Sequence, residues 1–161
     1  MQVNQVMTRN VRHCRTWDAL SEAAQQMSDG DCGCIPVLAD DGSQRVVGVI
    51  TDRDICMATH LRDELPSKIL VGDVMSRNVR SVKPSATLAE AESMMSEAQV
   101  RRLPVVDDEQ KLVGILALAD LAREAQRMRT ADHPEITEDE VGDTLSAISM
   151  SRFPTEIVAS P

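Results

Sequence analysis

The sequence predicts an α+β fold in which two tandem β-α-β-β-α units pack sheet to sheet about a pseudo-two-fold axis. Residues 3–12 (VNQVMTRNVR) and 71–80 (VGDVMSRNVR) are identical at seven of ten positions. The same alignment matches residues 36–37 with 104–105, so the chain repeats itself. A unit of about 60 residues buries too little surface to be stable alone, and we therefore expect the two copies to share a core.

Each copy has the same order of hydrophobic patterns. In the first copy, Leu20, Ala23 and Met27 have helical spacing, and two apolar runs flank an Asp-Asp-Gly turn, which is typical of paired strands. We predict a short strand at Val11, a helix at 18–28, strands at 35–38 and 46–50, and a second helix starting near Thr51. The second copy gives a strand at 79–82, a helix at 86–97, strands at 103–106 and 112–116, and a helix starting near Leu118.

These patterns divide the chain into four segments. The first unit spans 1–60, the linker with its charges and Pro66 spans 61–69, and the second unit spans 70–129. Residues 130–161 form an extension in which Thr137 and Glu140 have the spacing of a capping box, so we expect a helix at about 137–150.

Composition excludes several classes of function. Acidic residues outnumber basic ones by 26 to 17, the net charge is −9, and Trp17 and Phe153 are the only residues of the Phe, Trp and Tyr class. Nucleic-acid binding is therefore not expected, because it needs a basic face and stacking aromatic side chains. There is no apolar run of 18 residues and no N-terminal apolar segment, so we expect a cytoplasmic protein without a membrane span.

The motif Gly48-x-x-Thr51-x-x-Asp54 has two interpretations. Thr51 can cap the following helix while the helix dipole favours Asp54, which is the commoner role of this pattern. Alternatively, the hydroxyl and the carboxylate lie beside free helix N–H groups and bind a ligand, since a fixed carboxylate can accept from both hydroxyls of a ribose. In the second copy Ala117 replaces the threonine while Asp120 persists, which favours the ribose interpretation weakly.

Four segments together resemble a known family. GVITDRD (48–54), IPV (35–37), RRLPVV (101–106) and GILALAD (114–120) are similar to the motifs of a tandem pair of CBS domains, also called a Bateman module. The resemblance covers residues 3 to about 127. It implies a non-catalytic regulatory protein that binds AMP, ADP or ATP, or else S-adenosylmethionine or NAD, between the copies. It also implies a homodimer that forms through the helices and signals to an effector protein.

The resemblance places two sites, each built from both copies. The first site combines Val49, Thr51 and Asp54 of the first copy with Val79, Arg80, Val100 and Arg101 of the second. The second site combines Ile115 and Asp120 with Val11, Arg12 and Cys32. Arginines at these positions suit phosphate groups, to which a guanidinium donates two parallel hydrogen bonds. Because the second site lacks both the threonine and an arginine pair, we expect unequal sites and tighter binding at Thr51 and Asp54.

Two other functions stay open at this stage. The protein could be a scaffold whose clefts bind nothing physiological. Alternatively Cys14, Cys32, Cys34 and Cys56 could form a metal or redox sensor, although their spacing is not that of a four-ligand zinc site and cysteine is often buried as a small apolar residue. No Ser–His or His–Cys pair has a spacing typical of catalysis, and the sequence contains no glycine-rich phosphate loop. We therefore do not expect an enzyme.

Overall fold

The computed structural model describes residues 1–150 and shows two similar α+β copies. The first copy has three strands and the second has two, and each copy has two long helices. The elements are α1 (Val3–Val6), β1 (Cys14–Arg15), α2 (Leu20–Asp29), β2 (Cys34–Leu38), β3 (Val46–Thr51), α3 (Asp52–Arg62), α4 (Leu88–Ala98), β4 (Arg102–Val106), β5 (Leu112–Ala117), α5 (Leu118–Met128) and α6 (Glu138–Ser149). These positions confirm the predicted helices and hairpins to within a few residues.

The first strand of each copy lies later than the sequence predicted. In the first copy it is β1, parallel to β2, and Val11 is not part of it. In the second copy only Val82 pairs, with Val105. The reason is that the chain first pairs with the other copy, at Thr8 and at Ser76, and must then cross back before it can join its own sheet. The prediction also missed α1, because residues 3–12 carry no helical repeat long enough to be recognised.

The start of each copy completes the sheet and core of the other. Thr8 exchanges two backbone hydrogen bonds of 2.9 Å with Ile115, and Val49 exchanges bonds of 3.0 and 2.9 Å with Ser76. The two copies thus exchange their N-terminal segments, and each of the two buried clusters contains residues from both copies. Val3 and Met7 belong to the core of the second copy, whereas Ile69, Val71 and Met75 belong to the core of the first.

Two glycines permit this exchange. A Cβ atom at Gly48 would lie 2.5 Å from Sδ of Met75 and 3.1 Å from the carbonyl oxygen of Ser76. A Cβ atom at Gly114 would lie at the same distances from Met7 and Thr8. Gly48 thus allows a close backbone approach, and the segment that approaches comes from the other copy.

The hairpins of the two copies also join end to end. Arg45 and Lys111 pair as an isolated antiparallel bridge, with Val46 N–H donating to the Gln110 carbonyl at 3.2 Å. Leu112 N–H donates to the Gln44 carbonyl at 3.1 Å, which is the symmetrical bond. The copies therefore contact each other through reciprocal, pseudo-symmetric hydrogen bonds.

Helix α6 confirms the predicted helix of the extension. Thr137 N–H donates to Oε2 of Glu140 at 2.8 Å, and Glu140 N–H donates to Oγ1 of Thr137 at 3.3 Å. The helix packs on α4 and α5 and buries Thr144 and Ile148. Burial beneath it raises the pKa of Glu92, and Glu140 raises it further. The rest of the extension, 151–161, lies outside the described residues.

Helix length and hydropathy bear on membrane association. Within residues 1–150, no helix is both long enough and apolar enough to cross a bilayer.

Helix α3 extends to Arg62, so the first residues of the predicted linker are helical, and residues 66–68 form a 3₁₀ turn.

The exchange predicts that Gly48→Ala and Gly114→Ala each lower the free energy of unfolding by about 1–3 kcal/mol, because the added methyl group overpacks against a methionine and a backbone carbonyl. Urea unfolding followed by circular dichroism measures this. Gly142→Ala is the matched control, since a Cβ there meets nothing within 4 Å and alanine favours the helix by about 0.5–1 kcal/mol. Wild-type stability in Gly48→Ala would contradict the close approach.

Candidate functional site

Thr51 and Asp54 lie where β3 becomes α3. Asp54 N–H donates to Oγ1 of Thr51 at 3.1 Å, and Oδ2 of Asp54 accepts from Thr51 N–H at 2.9 Å and from its hydroxyl at 2.7 Å. The capping interpretation of the motif is therefore confirmed. These bonds fix the orientation of a partly buried carboxylate at the end of a strand.

The cap uses only half of the Asp54 carboxylate. Among residues 1–150, no hydrogen bond or ion pair to Oδ1 is found, so this oxygen can still accept from a ligand.

The first N–H groups of helix α3, unlike Oδ1 of Asp54, already have hydrogen-bond partners within the protein. Asp52 N–H donates to the Gly33 carbonyl at 3.0 Å and Arg53 N–H donates to Oδ1 of Asp52 at 2.7 Å. The expectation of free N–H groups is wrong here, because the preceding loop and the first-turn carboxylates satisfy them.

Asp120 has a different environment at the start of α5. It is 7% exposed, and Oδ2 accepts from Ala117 N–H at 2.8 Å. The carboxylate thus caps the backbone even without a threonine hydroxyl, so its persistence in the repeat does not by itself indicate a ribose. Oδ1 accepts a hydrogen bond from Nη2 of Arg123, one turn further along the helix. Both oxygens of Asp120 are engaged within the protein.

The exchanged segment brings residues of the second copy to the first site. Val49 pairs with Ser76, and the chain continues from there to Val79, which is partly buried, and Arg80, which is exposed. Residues of both copies therefore meet beside β3, whereas the composition of the site stays a prediction. This contact depends on the backbone bonds of Ser76 rather than on side chains.

The arginine doublet at the start of β4 divides into two environments. Arg101 is exposed, and its carbonyl accepts from Leu118 N–H at 2.9 Å, which ties it to the helix of its own copy. Arg102 is partly buried and lies close enough to Cys34 to lower the pKa of its thiol, which Asp54 in turn raises. Arg102 was not among the predicted site residues. The doublet alone could not show which arginine faces the other copy.

The structure brings together fewer of the residues that were predicted to form the second site with Asp120. Thr8 pairs with Ile115 as an isolated bridge, three residues before Val11 along the chain. Arg12, however, donates from Nη1 to Oε1 of Gln26 at 3.1 Å and lies 4.0 Å from Oδ2 of Asp29, both on α2 of its own copy. Cys32 is partly buried and packs against the first core.

Among the described residues, two surface cavities are lined by side chains other than those of the predicted sites, although Gln26, which lines the first, accepts from Arg12. One, of about 250 Å³, is lined by His13 and by the exposed side of α2. The other, of about 200 Å³, lies between the end of α5 and the start of α6. Neither lining includes any residue of the two predicted sites.

Known proteins match nearly the whole chain. The model of the CBS domain family, described as "CBS domain", matches residues 3–60 and 71–127. The uncharacterized protein YlbB of Bacillus subtilis is 32% identical over 148 residues, which is 92% of this chain and 91% of that protein.

Solved structures of similar fold agree with this. The crystal structure of Hypoxic Response Protein I with two coordinated zinc ions has a TM-score of 0.69 and 32% identity, covering 76% of this chain and 98% of that one. The crystal structure of CBSX2 in complex with AMP has a TM-score of 0.68 and 28% identity, covering 80% of this chain and 98% of that one.

The cysteines do not form a metal-binding cluster in the part of the chain that the structure describes, where no group of three or more His, Cys, Asp or Glu side chains could hold an ion. Burial raises the pKa of Cys14 to about 12 and that of Cys34 to about 11. Asp18 adds to the first shift, whereas Arg102 opposes the second. Both thiols are therefore protonated at neutral pH, which disfavours nucleophilic and metal-binding chemistry.

These pKa values predict selective thiol labelling. At pH 8 a maleimide should react rapidly with exposed Cys56 and slowly with Cys14 and Cys34, and guanidinium should equalise the rates. The unfolded thiols ionise near pH 9.0, before the folded ones, so folding stability should fall as pH rises from there towards 11 and 12. Mass spectrometry of the labelled peptides measures the rates, and Cys56→Ser should remove the rapid phase. Equal rates at Cys34 and Cys56 in the folded protein would contradict the assignment.

Proposed function

Because the chain belongs to the CBS domain family, we propose that it is a non-catalytic regulatory module that binds an adenine nucleotide, AMP, ADP or ATP, at the first site between its copies. The observation that carries the proposal is the Asp54 carboxylate, which is oriented by Thr51 through one oxygen and open to a ligand through the other. The similar protein CBSX2 has been crystallised with AMP, which supports an adenosine ligand. S-adenosylmethionine and NAD share the same adenosine group and are the alternatives.

The residues of the first site suit the three parts of a nucleotide. Ribose hydroxyls donate to Oδ1 of Asp54, and a charged acceptor makes these bonds stronger than neutral ones. The side chains of Val49, Val79 and Val100 are partly buried, and offer apolar surface to the faces of the adenine ring. Arg80 and Arg101 supply positive charge for the phosphates, and we add Arg102 to them because both Arg102 and Asp54 are close enough to Cys34 to act on its thiol.

A ligand in this position contacts both copies. The first copy supplies Asp54, and the second supplies the arginines and the segment that follows Ser76. Binding therefore favours the arrangement of the copies in which both sets of contacts are made, and an effector protein that distinguishes this arrangement receives the signal.

The two alternative functions predict different outcomes. A scaffold without a ligand predicts no stabilisation by any adenosine compound. A cysteine-based metal or redox sensor predicts reactive thiolates, which the raised pKa values of Cys14 and Cys34 do not support. The zinc ions of Hypoxic Response Protein I belong to that protein, and the described residues of this chain offer no comparable group of donors.

We propose in addition that the protein is a homodimer formed through helices of the first copy. Helix α6 packs on α4 and α5 and so covers helices of the second copy. On α3, Met57 is 44% exposed and Leu61 is 75% exposed, one turn apart on the same side of the helix.

Light scattering at micromolar concentration should give a dimer for the wild type and a monomer for Leu61→Arg. A monomeric wild type would contradict the dimer without affecting the nucleotide site.

Thermal shift and calorimetry with AMP, ADP, ATP, S-adenosylmethionine and NAD test the nucleotide site. A true ligand should stabilise the fold by about 2.7 kcal/mol at a hundred times its Kd. Asp54→Asn should weaken binding about tenfold or more, because a hydrogen bond to a charged acceptor contributes roughly 1.5–3 kcal/mol.

The control for this test is Glu90→Gln. Thr87 and Glu90 form the same capping box at the start of α4, with Thr87 N–H donating to Oε2 of Glu90 at 2.7 Å. That helix carries none of the predicted site residues, so the variant should lose a comparable amount of capping energy and keep wild-type affinity. Equal loss of affinity in both variants, or no stabilisation of the wild type by any of the five compounds, would overturn the proposed function.

A further inference from the structure

The two copies differ at the residue that follows each aspartate by one helical turn. In the second copy this residue is Arg123, whose Nη2 donates to Oδ1 of Asp120. The repeat places Met57 at the equivalent position of α3, three residues after Asp54. A thioether donates no hydrogen bond, so Oδ1 of Asp54 stays open to a ligand.

The Arg123 bond completes the engagement of Asp120. Oδ2 of this carboxylate already accepts from Ala117 N–H at 2.8 Å. With Arg123 on the other oxygen, each oxygen of the carboxylate accepts a bond within the protein, and the aspartate is 7% exposed, so little of it is accessible to a ligand. A ribose hydroxyl must compete with the guanidinium for Oδ1, and displacing Arg123 would leave a buried carboxylate without its charged partner.

We infer that Arg123 is a built-in occupant of the second site, which excludes ribose from Asp120 and makes the protein bind one nucleotide per chain. The inference rests on the proposed function of the first site and names the residue that distinguishes the two. Arg123 is 68% exposed, so it is held at Asp120 by the ion pair rather than by packing. Exchanging the residues at 57 and 123 should therefore exchange the properties of the two sites.

The neighbouring turn of α5 offers a matched control. Arg127 donates to Oε2 of Glu124 at 2.7 Å, with the same spacing along the helix and similar exposure. The repeat places Leu61 at the equivalent position of α3. Arg127→Leu and Leu61→Arg therefore make the same kinds of change one turn away, without reaching Asp120 or Asp54. Leu61→Arg also controls for any effect of a new arginine on dimerisation.

Calorimetry with AMP on the full chain tests the inference through stoichiometry. The wild type should bind one AMP per chain, Arg123→Met should bind two, and Met57→Arg should bind at the first site about tenfold more weakly or not at all, because the new guanidinium occupies Oδ1 of Asp54. Arg127→Leu and Leu61→Arg should match the wild type in the stoichiometry and affinity of AMP binding, even though Leu61→Arg is expected to be monomeric.

The outcomes separate this inference from the proposed function. Two AMP molecules per wild-type chain would overturn the inference and leave the proposed function intact. Loss of affinity in Arg123→Met would also overturn it, since it would mean that the arginine binds phosphate. AMP binding by Arg123→Met alone would support the inference and overturn the first site. Absence of binding in every protein would overturn both.

Discussion

The reciprocal exchange of N-terminal segments is the constraint on which the rest of the structure depends. Thr8 bonds to Ile115 and Ser76 bonds to Val49, each through a pair of backbone hydrogen bonds, and neither copy has a complete core without the other. The glycine beside each pair is required because a side chain there would occupy the place of the incoming methionine. The exchange joins two units that are each small enough to be only marginally stable, and it also brings residues of one copy beside β3 of the other.

A single carboxylate caps a helix and, in the proposed function, also binds a ribose. Capping and ribose binding are alternatives for the motif only if the carboxylate is treated as one acceptor, whereas its two oxygens accept separately. At Asp54 the threonine takes one oxygen and leaves the other, while at Asp120 the backbone and Arg123 take one each. A duplicated sequence can thus keep the same fold in both halves and confine binding to one, through a change at a neighbouring helix position.

The repeat and its hydrophobic spacing were sufficient to predict the helices, the hairpins and the α6 cap, because these depend on local patterns. The sequence placed the first strand at Val11 instead of Cys14 because pairing there depends on where the crossing chain returns, which is a tertiary effect. The two sites stay predictions, since the contacts of the described residues do not test which side chains bind a ligand. The roles proposed for Arg102 and Arg123 could not be derived from the sequence, because neither side-chain orientation nor an ion pair to one particular oxygen follows from spacing alone.

The crystal structure of the full chain grown with AMP tests the central claim most directly, because it locates the ribose. We expect the nucleotide between the copies, with its ribose hydroxyls within hydrogen-bonding distance of Oδ1 of Asp54 and with Oδ2 still accepting from Thr51. A nucleotide bound on the outer surface, or one whose ribose makes no contact with Asp54, would contradict it.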